Sequence, residues 1–251
     1  MKLALAIIAI SIWSLGLLGQ TPARTAKPID PDKILNDSAW GKTQTETDTS
    51  EMFFSPTRPG SALPAGAQTN PAAVREQQSR NNSRTERGAL NQEVSINYRI
   101  RFFSARPVRE ALAMKFIESQ TEINRATAQQ WEEFITRDFG DFIVVIVNYD
   151  AADGRLTGPA TQAFNVATLG SLKNDTYLER SDGQRAYLSD YRPPAGDGIG
   201  AKFVFARTFE GKPFLTAASG TVRFYAMLSK SITLNMRFKV SEMEYNGRLE
   251  Y

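Results

Sequence analysis

Residues 94–102, VSINYRIRF, decide the fold of this chain. Their apolar side chains fall at every second position, and polar or basic side chains stand between them. Because neighbouring side chains of a strand point to opposite faces, this pattern predicts a strand with one buried face and one wet, basic face. Residues 142–147, FIVVIV, are apolar throughout and β-branched at five of six positions. They predict a central strand covered on both faces.

Two helices are predicted between these strands. Pro107 suits the first turn of a helix over residues 104–119, whose apolar side chains recur on one helical face. Thr127 with Gln130 three residues later indicates the start of a second helix, because this is the spacing of a capping box. The apolar stripe of the second helix consists of Trp131, Phe134 and Ile135.

The second half of the chain is richer in strand and turn signals. Residues 221–228 and 232–240 alternate in the manner of a β-hairpin, and residues 169–179 are compatible with a helix. Asn246-Gly247 is a tight-turn dipeptide that lets the last four residues fold back as a strand. The pattern as a whole predicts an α+β fold, an antiparallel or mixed sheet with two or three packed helices.

Residues 1–23 have the composition of a secretory signal peptide. Lys2 precedes a long apolar run, and small residues that follow it allow cleavage after Gly19 or after Ala23. An uncleaved anchor is the alternative, because a run of about 17 residues lies at the lower limit of what spans a bilayer. The chain contains no cysteine, which excludes both disulfides and lipid attachment at a lipobox. The sequence therefore predicts an exported protein whose fold is stable without disulfides.

Composition divides the remaining chain into three parts. Residues 24–42 form a short docking segment, with Pro31 in a first helical turn and Trp40 as a packing anchor rather than a ligand-binding aromatic. Residues 43–92 are polar and rich in Pro, Gly, Ala, Gln and Asn, which predicts a disordered, low-complexity linker. Residues 93–251 form the α+β domain.

Three stretches carry a resemblance to a known family. They are residues 34–42, ILNDSAWGK, residues 104–112, SARPVREAL, and residues 238–251, FKVSEMEYNGRLEY. These stretches resemble an uncharacterised family of exported bacterial proteins, other members of which tend to carry a glycine-rich linker at the position of residues 43–92. The resemblance implies export and the domain boundary, and it implies no activity.

The chain lacks the side chains on which most neutral-pH catalysis depends. It has no histidine and no cysteine, which excludes imidazole bases, Ser-His and Cys-His nucleophile pairs, and zinc sites of His or Cys ligands. Nucleophile elbows and phosphate-binding glycine loops do not occur either. The sequence accordingly predicts no cofactor and no metal. Its formal net charge of +3 comes from scattered basic residues, so no nucleic acid partner is predicted.

Carboxylates are the remaining candidates for catalysis. Four of them cluster on and after the second predicted helix: Glu132, Glu133, Asp138 and Asp141. Two carboxylates hydrolyse a glycoside when one has a raised pKa and the other stays ionised, whereas a solvated helix face is the simpler interpretation. Asp150 and Asp153 offer oxygen ligands for calcium, but the twelve-residue calcium loop is missing, which favours a turn.

The best candidates for a binding surface lie on the first predicted strand. Arg99 and Arg101 are two residues apart, point the same way and can hold a carboxylate or phosphate beside Tyr98. The structural alternative is cross-strand pairing of these arginines with Glu242 or Glu244.

Taken together, the sequence predicts a periplasmic or secreted protein, and it favours a non-enzymatic role while leaving an enzymatic one open. The expected function is a binding or structural module of the cell envelope, whose partner is another envelope component or protein. Contact with a membrane is expected through the leader alone, if the leader is uncleaved. The alternative function is a carboxylate-dependent hydrolase of a polysaccharide or cell-wall polymer, which requires two buried acids about 5 to 10 Å apart.

Overall fold

The computed structural model describes residues 30–48, 94–120, 124–151 and 154–251. The predicted signal peptide and residues 49–92 of the predicted linker lie outside the described residues. Within the described ranges, no helix combines the length and the apolar character that crossing a membrane requires.

Eight strands form one antiparallel sheet. They are β1 (Gly41–Asp48), β2 (Val94–Phe102), β3 (Phe142–Ala151), β4 (Thr176–Arg180), β5 (Arg185–Arg192), β6 (Ala201–Ala206), β9 (Thr221–Met227) and β10 (Thr233–Lys239). Their order across the sheet is β1-β2-β3-β6-β5-β4-β9-β10. Two short antiparallel pairs lie outside it, β7 (Thr208–Phe209) with β8 (Lys212–Pro213) and β11 (Glu244–Tyr245) with β12 (Arg248–Leu249).

The first and last strands of the sheet approach each other, so the sheet is nearly closed and barrel-like. The Gln44 side chain joins them. Its Nε2 donates to the main-chain oxygen of Thr233 at 2.9 Å, and its Oε1 accepts from the main-chain N–H of Asn235 at 2.8 Å. The predicted α+β fold, a sheet with two or three packed helices, is therefore wrong. The structure is mainly β, because most of the core is enclosed by the strands of one curled sheet.

Strand β1 begins at the end of the predicted docking segment and continues into the predicted linker. It pairs with β2 from Gly41 opposite Arg101 to Asp48 opposite Val94, so residues 43–48 belong to the sheet. Composition placed this boundary wrongly because β1 is almost entirely polar, GKTQTETD. Backbone pairing with β2 holds such a strand without an apolar face of its own.

The main core fills the inside of the curled sheet. Alternate side chains of β2, from Ile96 to Phe102, are at most 5% exposed. In β3, Ile143, Val145 and Val147 join this core, while Val144 and Ile146 belong to a smaller cluster on the outer face. The predictions of a buried face on the first strand and of a central strand covered on both faces are confirmed. The predicted wet, basic face of the first strand is confirmed only in part, because Arg101 on that face is 5% exposed.

Five α-helices of the described residues accompany the sheet. They are α1 (Pro31–Asn36), α2 (Arg106–Glu118), α3 (Arg125–Thr136), α4 (Gly154–Val166) and α5 (Leu169–Leu172). Helices α2 and α3 lie over the outer cluster of β3, whereas Phe164 of α4 stacks on Tyr149 at 5.0 Å and contacts the inward-facing Tyr98.

Two helix predictions need correction. Helix α3 starts earlier than the Thr127–Gln130 spacing suggests, because the Asn124 side chain caps it by accepting from the main-chain N–H of Thr127 at 2.8 Å. The predicted helix over residues 169–179 is limited to the four residues of α5. The remainder enters strand β4, whose first three side chains are buried in the sheet.

Both ends of the described chain are packed against the sheet. Leu35 and Trp40 are buried, and the Trp40 Nε1 donates to the main-chain oxygen of Glu250 at 2.7 Å. The predicted turn at Asn246-Gly247 is confirmed, since both residues have positive φ values, 52° and 76°, and β12 folds back on β11.

Candidate functional site

The three predicted binding residues do not share a surface. Tyr98 points into the curled sheet and is 1% exposed. Arg101 points the other way but is 5% exposed, because α1 covers it: its Nε donates to the main-chain oxygen of Leu35 at 2.7 Å. Arg99 alone faces solvent, where it forms an ion pair with Asp150 at 2.9 Å.

The predicted alternative partners of these arginines lie elsewhere. Glu242 pairs with Lys239 at 2.9 Å, and Glu244 is exposed on β11. Arg99 instead finds its carboxylate on β3, directly beside its own strand. The cationic side of β2 is therefore occupied by contacts within the chain.

The predicted acidic residues do not converge on a cleft. Four of them are exposed: Glu132, Glu133, Asp138 and Asp141. Asp150 is half-buried and bound to Arg99, and Asp153 lies outside the described residues. Among the residues that the structure describes, no group of three or more acidic side chains is placed to hold a metal ion.

A groove opens between α2, α3 and the loop at residues 197–199, with a volume of about 760 Å³. Each helix contributes four positions spaced i, i+3, i+4 and i+7, the spacing of one helical face. These positions are Leu112, Lys115, Phe116 and Ser119 on α2, and Thr127, Gln130, Trp131 and Phe134 on α3. The two helices therefore turn matching stripes towards each other and leave the space between them open.

Aromatic rings line the groove in a continuous series. Phe116 contacts Trp131 with 4.6 Å between ring centroids, and Trp131 meets Phe134 edge-on at 5.2 Å. Phe134 in turn reaches Phe103 of the outer cluster at 5.6 Å. Phe116 remains 43% exposed, so the series runs from the packed sheet out to solvent.

Helix α3 is held mainly at its ends. Asn124 caps its first turn, and the buried Arg109 of α2 donates to the main-chain oxygen of Ile135 at 3.0 Å. Burial lowers the pKa of Arg109 to about 10, which leaves it charged at neutral pH. Between these two anchors no residue of α3 is fully buried, although the helix is clearly amphipathic. Its apolar stripe is therefore only partly covered by the described chain.

Charged side chains border the groove. Lys115 bonds to Asp32 of α1 at 2.7 Å, and this hydrogen bond raises the pKa of the lysine. On the other wall Asp197 bonds to Lys202 at 2.7 Å. Glu132 and Glu133 of α3 are exposed but do not line the groove, and Glu133 accepts from Gln129 at 3.2 Å on the outer side of the helix.

Sequence reasoning found the stripe of α3 but missed the groove. Trp131, Phe134 and Ile135 were identifiable from helical spacing, which normally signals burial against the same domain. The signal for a groove is the spacing of the facing stripe on α2, where Lys115 and Ser119 alternate with Leu112 and Phe116. Whether two such stripes close on each other depends on the angle between the helices, which periodicity does not specify.

The three stretches that carry the family resemblance meet in space. Trp40 packs edge-on against Tyr245 with 6.4 Å between centroids. The Tyr245 hydroxyl bonds to Glu110, which also pairs with Arg106 at 2.6 Å. The main-chain N–H of Arg106 donates to a carboxylate oxygen of Glu250 at 3.2 Å. Every member of this cluster is bound to another, so it ties the chain together and is not an open site.

No family model matches the chain, and no curated protein or solved structure is significantly similar to it. The groove and the cluster around Trp40 and Tyr245 are therefore interpreted from their geometry alone.

Proposed function

We propose that this chain is an exported, non-enzymatic binding module of the cell envelope, and that the groove between α2 and α3 holds an amphipathic helix of a partner protein. The observation that carries the proposal is the apolar stripe of α3, which the described chain covers only in part and in which no residue is fully buried. An exposed apolar surface with a polar rim is typical of a protein interaction site. The expectation of export comes from residues 1–23.

The groove suits a helix better than a small ligand. Its two walls present stripes of side chains at helical spacing. A third helix packed between them would meet Phe116, Trp131 and Phe134 with its own i, i+3, i+4 and i+7 side chains. This would bury the apolar side of α3 in a three-helix layer on the outer face of the sheet.

The charged side chains that line the groove already have partners within the chain: Lys115 bonds to Asp32, and Asp197 bonds to Lys202. Glu132 and Glu133 are exposed on α3 but do not line the groove. The partner helix is therefore expected to be recognised by its apolar face.

The test places a photo-crosslinking residue at Gln130 or at Gln129 of the full-length protein in its own cells. Gln130 lines the groove, whereas the adjacent Gln129 does not and is also exposed, so the two sites are matched. A partner should be crosslinked at Gln130 and much less at Gln129. Equal crosslinking at the two sites, or none at either, contradicts the proposal.

The crosslinked segment is then made as a synthetic peptide and titrated against the purified protein, with the fluorescence of Trp131 as the readout. The peptide should bind as a helix, and Phe116→Ala should weaken binding about tenfold, because a buried aromatic contact is lost. Met114→Ala is the control, since Met114 is similarly exposed on α2 but lies outside the groove. A non-helical segment, or equal losses for the two variants, overturns the proposed binding mode.

A further inference from the structure

The outer face of strands β5, β4, β9 and β10 carries two ordered rows of side chains. These four strands are consecutive in the sheet. They are distinct from β3 and β6, whose outer face is covered by the α2 and α3 side chains around Val144, Ile146 and Val204. The rows therefore lie on a surface that is separate from the groove.

The first row is cationic. The strand registers place Arg185 opposite Glu179, Glu179 opposite Arg223, and Arg223 opposite Arg237. Adjacent strands are about 4.8 Å apart, so the four positions span roughly 14 Å across the sheet. Glu179 is shared: Arg185 pairs with it at 2.7 Å and Arg223 at 3.3 Å. Three positive charges and one negative charge therefore lie in a line.

The end of this row has an uncompensated charge. Arg223 and Arg237 stand directly opposite each other on β9 and β10, an arrangement that destabilises a sheet. Arg237 is exposed, and within the described residues it forms neither a hydrogen bond nor an ion pair. Its guanidinium is free to bind an anion from outside.

The second row is aromatic. Tyr187, Tyr177 and Tyr225 occupy consecutive positions, and Asn235 completes the row on β10. Tyr177 stacks on Tyr225 with 5.1 Å between centroids and meets Tyr187 at 5.9 Å. The Arg185 guanidinium lies 4.2 Å from the Tyr177 centroid, and that of Arg223 lies 5.0 Å from the Tyr225 centroid. These contacts between guanidinium groups and rings join the two rows into one surface.

The ring faces of Tyr177 and Tyr225 are already used by each other and by the guanidinium groups of Arg185 and Arg223. Tyr177 is 8% exposed and supports the row, whereas Tyr187 is 49% exposed. The Tyr225 hydroxyl bonds to no residue of the described chain and, with the guanidinium group of Arg237, offers hydrogen-bond donors to a ligand. Donors of this kind suit carboxylate groups.

We propose that these two rows bind an acidic segment of a partner protein. Tyrosine and arginine are enriched in the centres of protein interfaces and among the residues that dominate binding energy. The excess of positive charge selects a negatively charged partner. A row of roughly 14 Å corresponds to about four residues of an extended segment, so a short acidic cluster covers it.

The test measures binding of poly-L-glutamate to the full-length protein by calorimetry. Arg237→Gln should weaken binding about tenfold, because one charge-assisted hydrogen bond is lost. Arg248→Gln removes the same charge from an exposed arginine on β12, away from the rows, and should change affinity less than twofold. Tyr225→Phe keeps the ring and removes the hydroxyl, and should weaken binding about fivefold. Unchanged thermal midpoints show that each variant is folded.

Three results would overturn this inference. The first is equal weakening by Arg237→Gln and Arg248→Gln, which indicates general charge attraction. The second is no measurable binding of poly-L-glutamate at low salt. The third is tighter binding of alginate, an acidic polysaccharide, than of poly-L-glutamate, with the same dependence on Arg237. The rows and the groove are separate, so none of these results bears on the groove.

Discussion

Arg101 shows how one side chain fixes the position of the N-terminal segment. It bonds to the main-chain oxygen of Leu35 at 2.7 Å and to Oδ1 of Asn36 at 3.1 Å, both at the C-terminal end of α1. The carbonyl groups there have no partners within the helix, and a cation interacts favourably with that end of the helix dipole. Burial lowers the pKa of Arg101 to about 10, so the charge persists at neutral pH.

Arg101→Ala should lower the free energy of unfolding by about 3 kcal/mol, because it leaves buried acceptors of α1 without a donor. Urea denaturation measures this loss, and amide exchange should become faster in residues 31–36. Arg99→Ala is the control on the same strand face. Since Arg99 forms an exposed ion pair, its loss should cost less than about 1 kcal/mol. Equal costs for the two variants would contradict the assigned role of Arg101.

Glu46 gives a prediction about pH. Burial raises the pKa of this carboxyl, and the hydrogen bond from Gln44 at 2.9 Å opposes the rise. The folded protein therefore holds the Glu46 proton at a pH where the unfolded chain has released it. This contribution to stability is complete below the ordinary pKa of a glutamate and is lost as the pH rises through the raised pKa.

Glu46→Gln should accordingly make the protein more stable at pH 7 and flatten the fall in stability above pH about 4.5. The replacement keeps an oxygen that accepts from Gln44. Urea midpoints from pH 4 to pH 8, compared between the two proteins, measure the difference. Glu132→Gln, which changes an exposed carboxyl, should leave the pH profile unaltered. A parallel profile for Glu46→Gln would show that Glu46 does not hold its proton.

At the scale of elements, prediction from sequence succeeded where the pattern is local. The β9–β10 hairpin has Val222, Phe224 and Leu234 fully buried, as alternation required. Strand β1 was missed because a polar strand held by backbone pairing carries no apolar period. Helical spacing identified the apolar stripe of α3. It did not predict that the stripe stays partly exposed, because exposure depends on how neighbouring helices pack.

The corner between α1 and β1 depends on Gly41. A Cβ at this position would lie 2.5 Å from the main-chain oxygen of Ile34 and 2.6 Å from that of Leu35. Backbone atoms cannot move aside as a flexible side chain can. Gly41→Ala should therefore cost about 2 to 3 kcal/mol and separate α1 from the start of β1.

Gly170→Ala is the control for this substitution. Gly170 is exposed in α5, and a Cβ there would meet only the Thr168 Oγ1 at 3.8 Å, an ordinary contact. Because alanine favours a helix over glycine, this change should raise the free energy of unfolding by about 0.5 to 1 kcal/mol. Thermal unfolding distinguishes the two variants by the sign of the shift. A neutral Gly41→Ala would show that the corner has more room than the close contacts imply.

At the scale of the whole molecule, the feature that sequence could not predict is the closure of the sheet. Periodicity identifies strands one at a time, whereas closure depends on which edges meet after folding. The seam is made by polar side chains of β1: Gln44 bonds to β10, and the Lys42 ammonium lies 5.8 Å from the Phe238 ring centroid. Side chains of this kind are equally common in linkers, so composition alone favoured the wrong assignment.

Gln44 replaces a missing stretch of backbone pairing between β1 and β10. Its amide accepts from one main-chain N–H and donates to one main-chain oxygen of β10, as a peptide group of a neighbouring strand would. Gln44→Ala leaves the oxygen of Thr233 and the N–H of Asn235 without these bonds. The expected loss is about 2 kcal/mol, because each bond contributes about 1 kcal/mol.

Gln44→Ala should also speed amide exchange at Asn235, because the N–H of Asn235 loses its acceptor at the seam. The amides of β3, at the centre of the sheet, should keep their protection. Thr45→Ala is the control, because the exposed Thr45 bonds to Asn97 on the neighbouring strand β2 and takes no part in the seam. Exchange at Asn235 should be unchanged in that variant. If Gln44→Ala left both stability and the Asn235 amide unaffected, the two edge strands would be held together by contacts other than this side chain.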